Sequence, residues 1–259
     1  MIAPGFAGVE AQLWLWLIAM IRPGAALMAA PIFGAAAVPV QLRIILSLAI
    51  GMAALNSVTF QMPPEGLASI SGVALVASEA VAGLALGFAL QIGYAAAFIA
   101  GETIANAMGL GFSSMVDPLT GNSTPVVGRF LSLVATFLLL IMDGHLMLIR
   151  FVVDSYTALP PGGGLMPAGA FESIAAFGSA MFSAGATIAL PVTFTLILVQ
   201  LVMAMLARTA PALNLFAVGM PAALLAGLVL LAIGAPVMGE AIEDSLRASL
   251  ELAQRLAGG

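Results

Sequence analysis

Six long apolar runs, separated by short clusters of proline, glycine and charge, set the pattern of this chain. Residues 11–30 form the first. Trp14 and Trp16 lie early in it, as interfacial aromatics do, and Arg22-Pro23-Gly24 is expected to break it near its end. A connection at 31–39 leads to a second run, 42–58, begun by Arg43, and 61–65 reads as a turn. Residues 67–100 are apolar throughout except for Glu79 and Gln91. As one helix this run is about 50 Å long, whereas a bilayer core is roughly 30 Å thick. It must tilt, break or project beyond the lipid. Gly83 and Gly87 form a small-xxx-small face suited to close helix approach.

The second half likewise alternates apolar runs and connections, without an internal repeat. Residues 129–150 read as one span with an arginine at each end, followed by a Pro/Gly-rich loop at 154–167. Residues 174–206 are again too long for a simple crossing, and Pro191 is expected to kink them. A connection at 208–221 precedes a last clear span at 222–238. From Glu240 the apolar positions Ile242, Leu246, Leu250, Ala253 and Leu256 recur at helical spacing. This predicts an amphipathic terminal helix packing on a partner or a membrane surface. Glu243/Arg247 and Glu251/Arg255 stand at i,i+4 in the favourable orientation.

Residues 101–125, GETIANAMGLGFSSMVDPLTGNSTP, interrupt the apolar pattern. They hold four Gly, two Pro, one Asp, one Glu and two Asn. Glycine frees the backbone for turns, and the residues before Pro118 and Pro125 are biased away from helix. Irregular backbone between membrane-grade helices survives only where protein or water surrounds it. The stretch is therefore an exposed connection or a loop held inside a channel or interface. Glu102 and Asn106, at i and i+4, read as a capping or packing pair at its entrance.

Composition sharpens this into a class. The chain is 62% hydrophobic and 7% charged over 259 residues, whereas soluble domains carry about 25% charge. It reads as an all-α, polytopic membrane protein of helical hairpins, with about six spans. The seven cations are all arginine, and the net charge of -5 disfavours nucleic acid as a partner. With no cysteine, disulfides and thiolate metal sites are excluded. The arginines at 22–43 and Arg208 fall on one side under the positive-inside rule, but an even span count puts Arg247 and Arg255 opposite.

Candidate chemistry is sparse. His145, the only histidine, stands two residues from Asp143 across Gly144. The pair reads first as a helix-end polar cluster fixing a turn, and second as a proton relay. Glu79 reads as a hydrogen-bonded or protonated packing group before a coupling carboxylate. Most methionines read as core filler, with Met108 and Met115 as the exceptions that could seal a pore. No phosphate-binding glycine loop, nucleophile motif or paired catalytic carboxylates are present, so neither an enzyme nor a cofactor is expected.

Separated motifs, in order along the chain, resemble the FliR family of the bacterial type III export gate. Arg22-Pro23-Gly24, Pro31-Ile32-Phe33-Gly34 and Pro39 to Arg43 resemble its first connection. Met108-Gly109-Leu110-Gly111-Phe112-Ser113, Asp117-Pro118 and Thr124-Pro125 resemble its central loop, with Ala107 where many members carry glutamine. Asp143-Gly144-His145, Asp154-Ser155 and Leu159-Pro160 resemble the segment that follows, and Ala189-Leu190-Pro191 opens the C-terminal signature. Ala207 to Pro211, Leu213 to Phe216 and Val218 to Pro221 resemble the C-terminal signature.

The resemblance implies a non-enzymatic subunit of the flagellar export gate in the bacterial inner membrane, at the flagellar basal body. It implies assembly with FliP and FliQ, FlhB at the cytoplasmic entrance, FlhA as the surrounding platform, and unfolded flagellar proteins as cargo. It divides the single membrane domain into N-terminal hairpins (1–100), a central loop (101–127), C-terminal hairpins (128–239) and a tail (240–259). The loop, with Met108, Gly109, Leu110, Gly111, Phe112, Ser113, Ser114, Met115, Val116, Asp117 and Pro118, is expected to help plug the closed channel. An injectisome counterpart shares this architecture. A small-molecule secondary transporter, with the loop and Pro191 as broken-helix elements, is a further alternative.

Overall fold

The computed structural model describes residues 7–55, 58, 69–111, 126–209 and 215–258. Their regular structure is helical: α1 (Ala7–Ala19), α2 (Ile21–Ala29), α3 (Val40–Leu55), α4 (Ile70–Ala107), α5 (Val126–Ile141), α6 (Gly144–Ala158), α7 (Ala168–Thr209) and α8 (Leu215–Leu256). Each of the six apolar runs reappears in these helices. Four stretches are long and apolar enough to cross a membrane, or five with α5 and α6 counted as one broken span. The remaining run, α3, has 16 residues and a length of about 24 Å, short of a bilayer core. The expected turn at 61–65 lies outside the described residues.

The over-long runs are single helices. α4 has 38 residues and α7 has 42, about 57 and 63 Å of helix. Pro191 does not end α7.

Several boundaries differ from the sequence expectation. α4 continues through Ala107, into the stretch 101–127 expected to be the central loop. The first run breaks at Met20, before Arg22-Pro23-Gly24, which lies in the first half of α2. Proline is tolerated in the first turn of a helix because no intrahelical partner awaits its N–H there. Residues 129–150 are two helices, parted at Met142–Asp143. Asp143 takes a left-handed conformation, φ 54°. The amphipathic tail is the last part of α8 and not a separate element. Its stripe packs inside the chain: Ile242, Leu246, Leu250, Ala253 and Leu256 are all buried.

The chain forms two compact units. The first comprises Met1–Ile92, Leu139–Phe177 and Arg247–Gly259. Its core joins Leu27, Leu86, Leu90, Leu148, Val152 and Leu252. The helices approach closely because glycines leave room. A Cβ on Gly83 would collide with the Arg22 carbonyl, and one on Gly87 with the Ala26 carbonyl. The small-xxx-small face therefore seats α2 against α4. Gly51 does the same for the carbonyl of Ala19, where a Cβ would lie 2.5 Å away.

The second unit comprises Gly93–Leu138 and Gly178–Leu246. Gly101 of α4 lies on the backbone of Gly128 of α5, and Gly185 of α7 packs against Ala96 and Ile99. Tyr94 and Thr136 share a hydrogen bond of 3.1 Å, and Ser245 donates to the Gly93 carbonyl at 3.1 Å. More than half of the most apolar window of α4 is buried (56%), against 22% for α7 and 11% for α8. Phe194, Leu201, Met205, Leu225 and Ile233 are among the large apolar side chains left exposed. Faces of this size require lipid or another protein chain against them.

Candidate functional site

The end of α4 carries the first residues of the expected plug loop. Met108 N–H donates to the Ile104 carbonyl and Gly109 N–H to the Asn106 carbonyl. Gly109 has φ 80°, the left-handed conformation that commonly closes a helix and that glycine adopts without strain. Leu110 and Gly111 follow, both half-buried. Phe112, Ser113, Ser114, Met115, Val116, Asp117 and Pro118 lie outside the described residues.

Two other helices fix this helix end. Gln200 of α7 donates from Nε2 to the carbonyl of Ala107 at 2.7 Å, satisfying a carbonyl that has no partner within the helix. Met108 is 2% exposed and lies where the Cβ of any other residue at 227 would sit. Such an atom would be 2.5 Å from Met108 Cγ and 2.8 Å from Sδ. Gly227 of α8 is therefore the seat of Met108. Beside it opens a groove of about 280 Å³, lined by Met108, Gly109, Gln200, Met203, Met220 and neighbouring Val and Ala side chains. None of its lining residues ionises, so its chemistry is that of contact. Three thioethers can reshape it without fixed geometry.

Glu102 and Asn106 stand six and two residues before Met108. Glu102 packs over Gly128, and its Oε1, buried, has no hydrogen-bond partner among the described residues. Asn106 is exposed, and its Oδ1 lies against Gly111.

The first unit holds a cluster the sequence reading did not bring together. Arg22 donates from Nε to Glu79 Oε2 (2.9 Å) and from Nη2 to Glu79 Oε1 (2.8 Å). Its Nη2 also reaches the Leu159 carbonyl (2.8 Å), and Nη1 reaches Ser155 Oγ (3.0 Å). The guanidinium lies 4.0 Å from the centre of the Tyr156 ring. Tyr156 in turn donates its hydroxyl proton to the Ala19 carbonyl at 3.1 Å, beside the α1–α2 break. Arg22 and Glu79 are 2% and 1% exposed. Glu79 is thus the hydrogen-bonded packing group of the first expectation. A signal was present in the sequence: two lone opposite charges, each inside a separate apolar run.

Asp143 and His145 stand apart from this network. Asp143 is exposed and precedes α6 without a side-chain cap bond. Gly144 is buried against Leu139, and His145 is half-buried with Nδ1 lacking a partner among the described residues. The pair sits at the break between α5 and α6.

Comparison with known proteins covers nearly the whole chain. Residues 13–249 match the family described as Bacterial export proteins, family 1. The chain is similar to the flagellar biosynthetic protein FliR of Escherichia coli (strain K12), with 34% identity over 235 residues, 89% of each chain. It is similar to FliR of Pectobacterium carotovorum subsp. carotovorum, with 34% identity over 218 residues, 84% of this chain and 83% of that one. FliR of Bacillus subtilis (strain 168) is 29% identical over 245 residues, 93% of each.

Proposed function

The chain belongs to the FliR family of bacterial export proteins, and on that premise we infer that it is a non-enzymatic subunit of the core flagellar export gate. In this reading it assembles with FliP and FliQ in the inner membrane at the flagellar basal body. Unfolded flagellar proteins pass through the assembly, with FlhB and FlhA as further partners. The relatives named above are all flagellar, which favours a flagellar over an injectisome gate. The sparsely buried faces of α7 and α8 give such partners, and lipid, a surface to cover.

The central loop helps to plug the closed channel. The observation that carries this role is the way α4 ends. Met108 is locked under Gly227, Gly109 turns the backbone out of the helix, and a deformable methionine groove lies beside the turn. A seal must be anchored at its root, and the packing of Met108 on Gly227 supports that reading. Deleting residues 110–116 in an otherwise assembled gate should raise ion leakage across the membrane, read as conductance in a planar bilayer or as loss of the proton gradient in cells. Unchanged conductance in an assembled deletion mutant would remove the plug role.

A further inference from the structure

The seam between α2 and α4 explains how closely the two helices approach but not which residues meet. On α4, Gly83 and Gly87 stand four apart, among Ser78, Ala82, Ala85 and Ala89. Gly83 receives the Arg22 carbonyl and Gly87 the Ala26 carbonyl. Sliding α2 by one turn, about 6 Å, would bring Gly87 to the carbonyl that Gly83 now holds. Small-residue seams of this kind repeat, and shape alone separates neighbouring registers weakly.

The ion pair does not repeat. Arg22 is the only charge on α2, and between Ile70 and Gly101 Glu79 is the only charge on α4. A slip of one turn would part them and leave each charge buried beside apolar groups. A buried unpaired charge is among the most unfavourable states a folded chain can hold. The remaining bonds of Arg22 extend the constraint. Ser155 and the Leu159 carbonyl belong to the end of α6 and the turn after it, and Tyr156 ties the same cluster to the last carbonyl of α1. Each of these partners is met only in one register.

We propose that the Arg22–Glu79 pair is a register lock: it selects one alignment of α2 on the small-residue face of α4, and the end of α6 is positioned on it. Its contribution is uniqueness of packing; an apolar pair of similar size would fold as firmly but less uniquely. Setting register is the best-attested use of buried polar groups in helical assemblies.

The chain has no cysteine, so two introduced cysteines can carry spin labels without background. Met28 on α2 and Ile70 at the start of α4 are both exposed, at 64% and 91%. In the full-length chain carrying M28C and I70C, pulsed electron resonance should give one narrow distance. Adding R22M and E79L together should leave the helical content and melting temperature near those of the labelled parent. The distance distribution should broaden or gain a second maximum displaced by about 6 Å. A single unchanged distance in the doubly apolar chain would show that the glycine seam sets the register by itself, and the proposal would fail. A doubly apolar chain that does not fold would also overturn it, because the pair would then be a requirement for stability and not a lock on alignment.

Discussion

The Arg22–Glu79 cluster and the Met108 groove are opposite solutions to the same local problem. Both lie next to a break in a helix, at Met20 for one and after Ala107 for the other, where backbone carbonyls have lost their partners. At the first break the chain answers with directional chemistry. Four guanidinium hydrogen bonds, a ring face and a tyrosine hydroxyl each demand one geometry. At the second it supplies one amide, from Gln200, and otherwise thioethers and small side chains. Directional groups in a low-dielectric interior permit few arrangements, because each missing bond is expensive. Methionine against glycine permits many, because dispersion contacts barely depend on orientation. The contrast fits a first region that fixes how its helices align and a second that accommodates change.

Substitutions can break that contrast. The largest effect is expected at Glu79. Glu79→Ala strands the buried guanidinium and should destabilise the folded chain by about 3–5 kcal/mol, read as loss of the melting transition or of detergent-stable protein. If Glu79→Ala were no worse than a surface change, Arg22 would not depend on Glu79 as its buried partner. Met108 should come next. Met108→Ala opens a cavity over Gly227 and should cost about 2 kcal/mol or somewhat more, while Met108→Leu should cost less than about 1.5 kcal/mol. A large loss with leucine would show that the groove is as geometrically strict as the ion pair. The smallest effect belongs to Gln200→Ala, which removes one hydrogen bond to the Ala107 carbonyl. It should lower stability by about 0.5–1.5 kcal/mol, and amide exchange should quicken in the last turn of α4 if that turn frays as a result.

Much of the architecture follows from local pattern. The apolar runs, the helical stripe from Ile242 to Leu256 and the close-approach face at Gly83 and Gly87 can be read from residue spacing, since lipid-grade helices are specified by what each residue can bury. That Gly109 would lie in a turn was legible too, because glycine frees the backbone for turns. Other features were less so. Arg22-Pro23-Gly24 has the composition of a break, yet the break falls at Met20, since a proline can begin a helix as readily as end one. Asp143 gave no sign of its left-handed backbone beyond the adjacent glycine. Beside it Gly144 packs on Leu139, where a Cβ would collide with Cδ1.

The sequence by itself determined that the chain is helical and membrane-spanning, that its apolar runs are parted by proline- and glycine-rich connections, and that residues 101–125 differ in composition from everything around them. Hydrophobic periodicity and glycine conformation act over a few residues, so they are written locally. Only the tertiary structure decided that Arg22 meets Glu79 across 57 positions, that Gln200 caps α4, and that Gly227 exists to seat Met108. Such pairings depend on which helices become neighbours, and that is settled by the sum of many weak contacts and by no single stretch of chain.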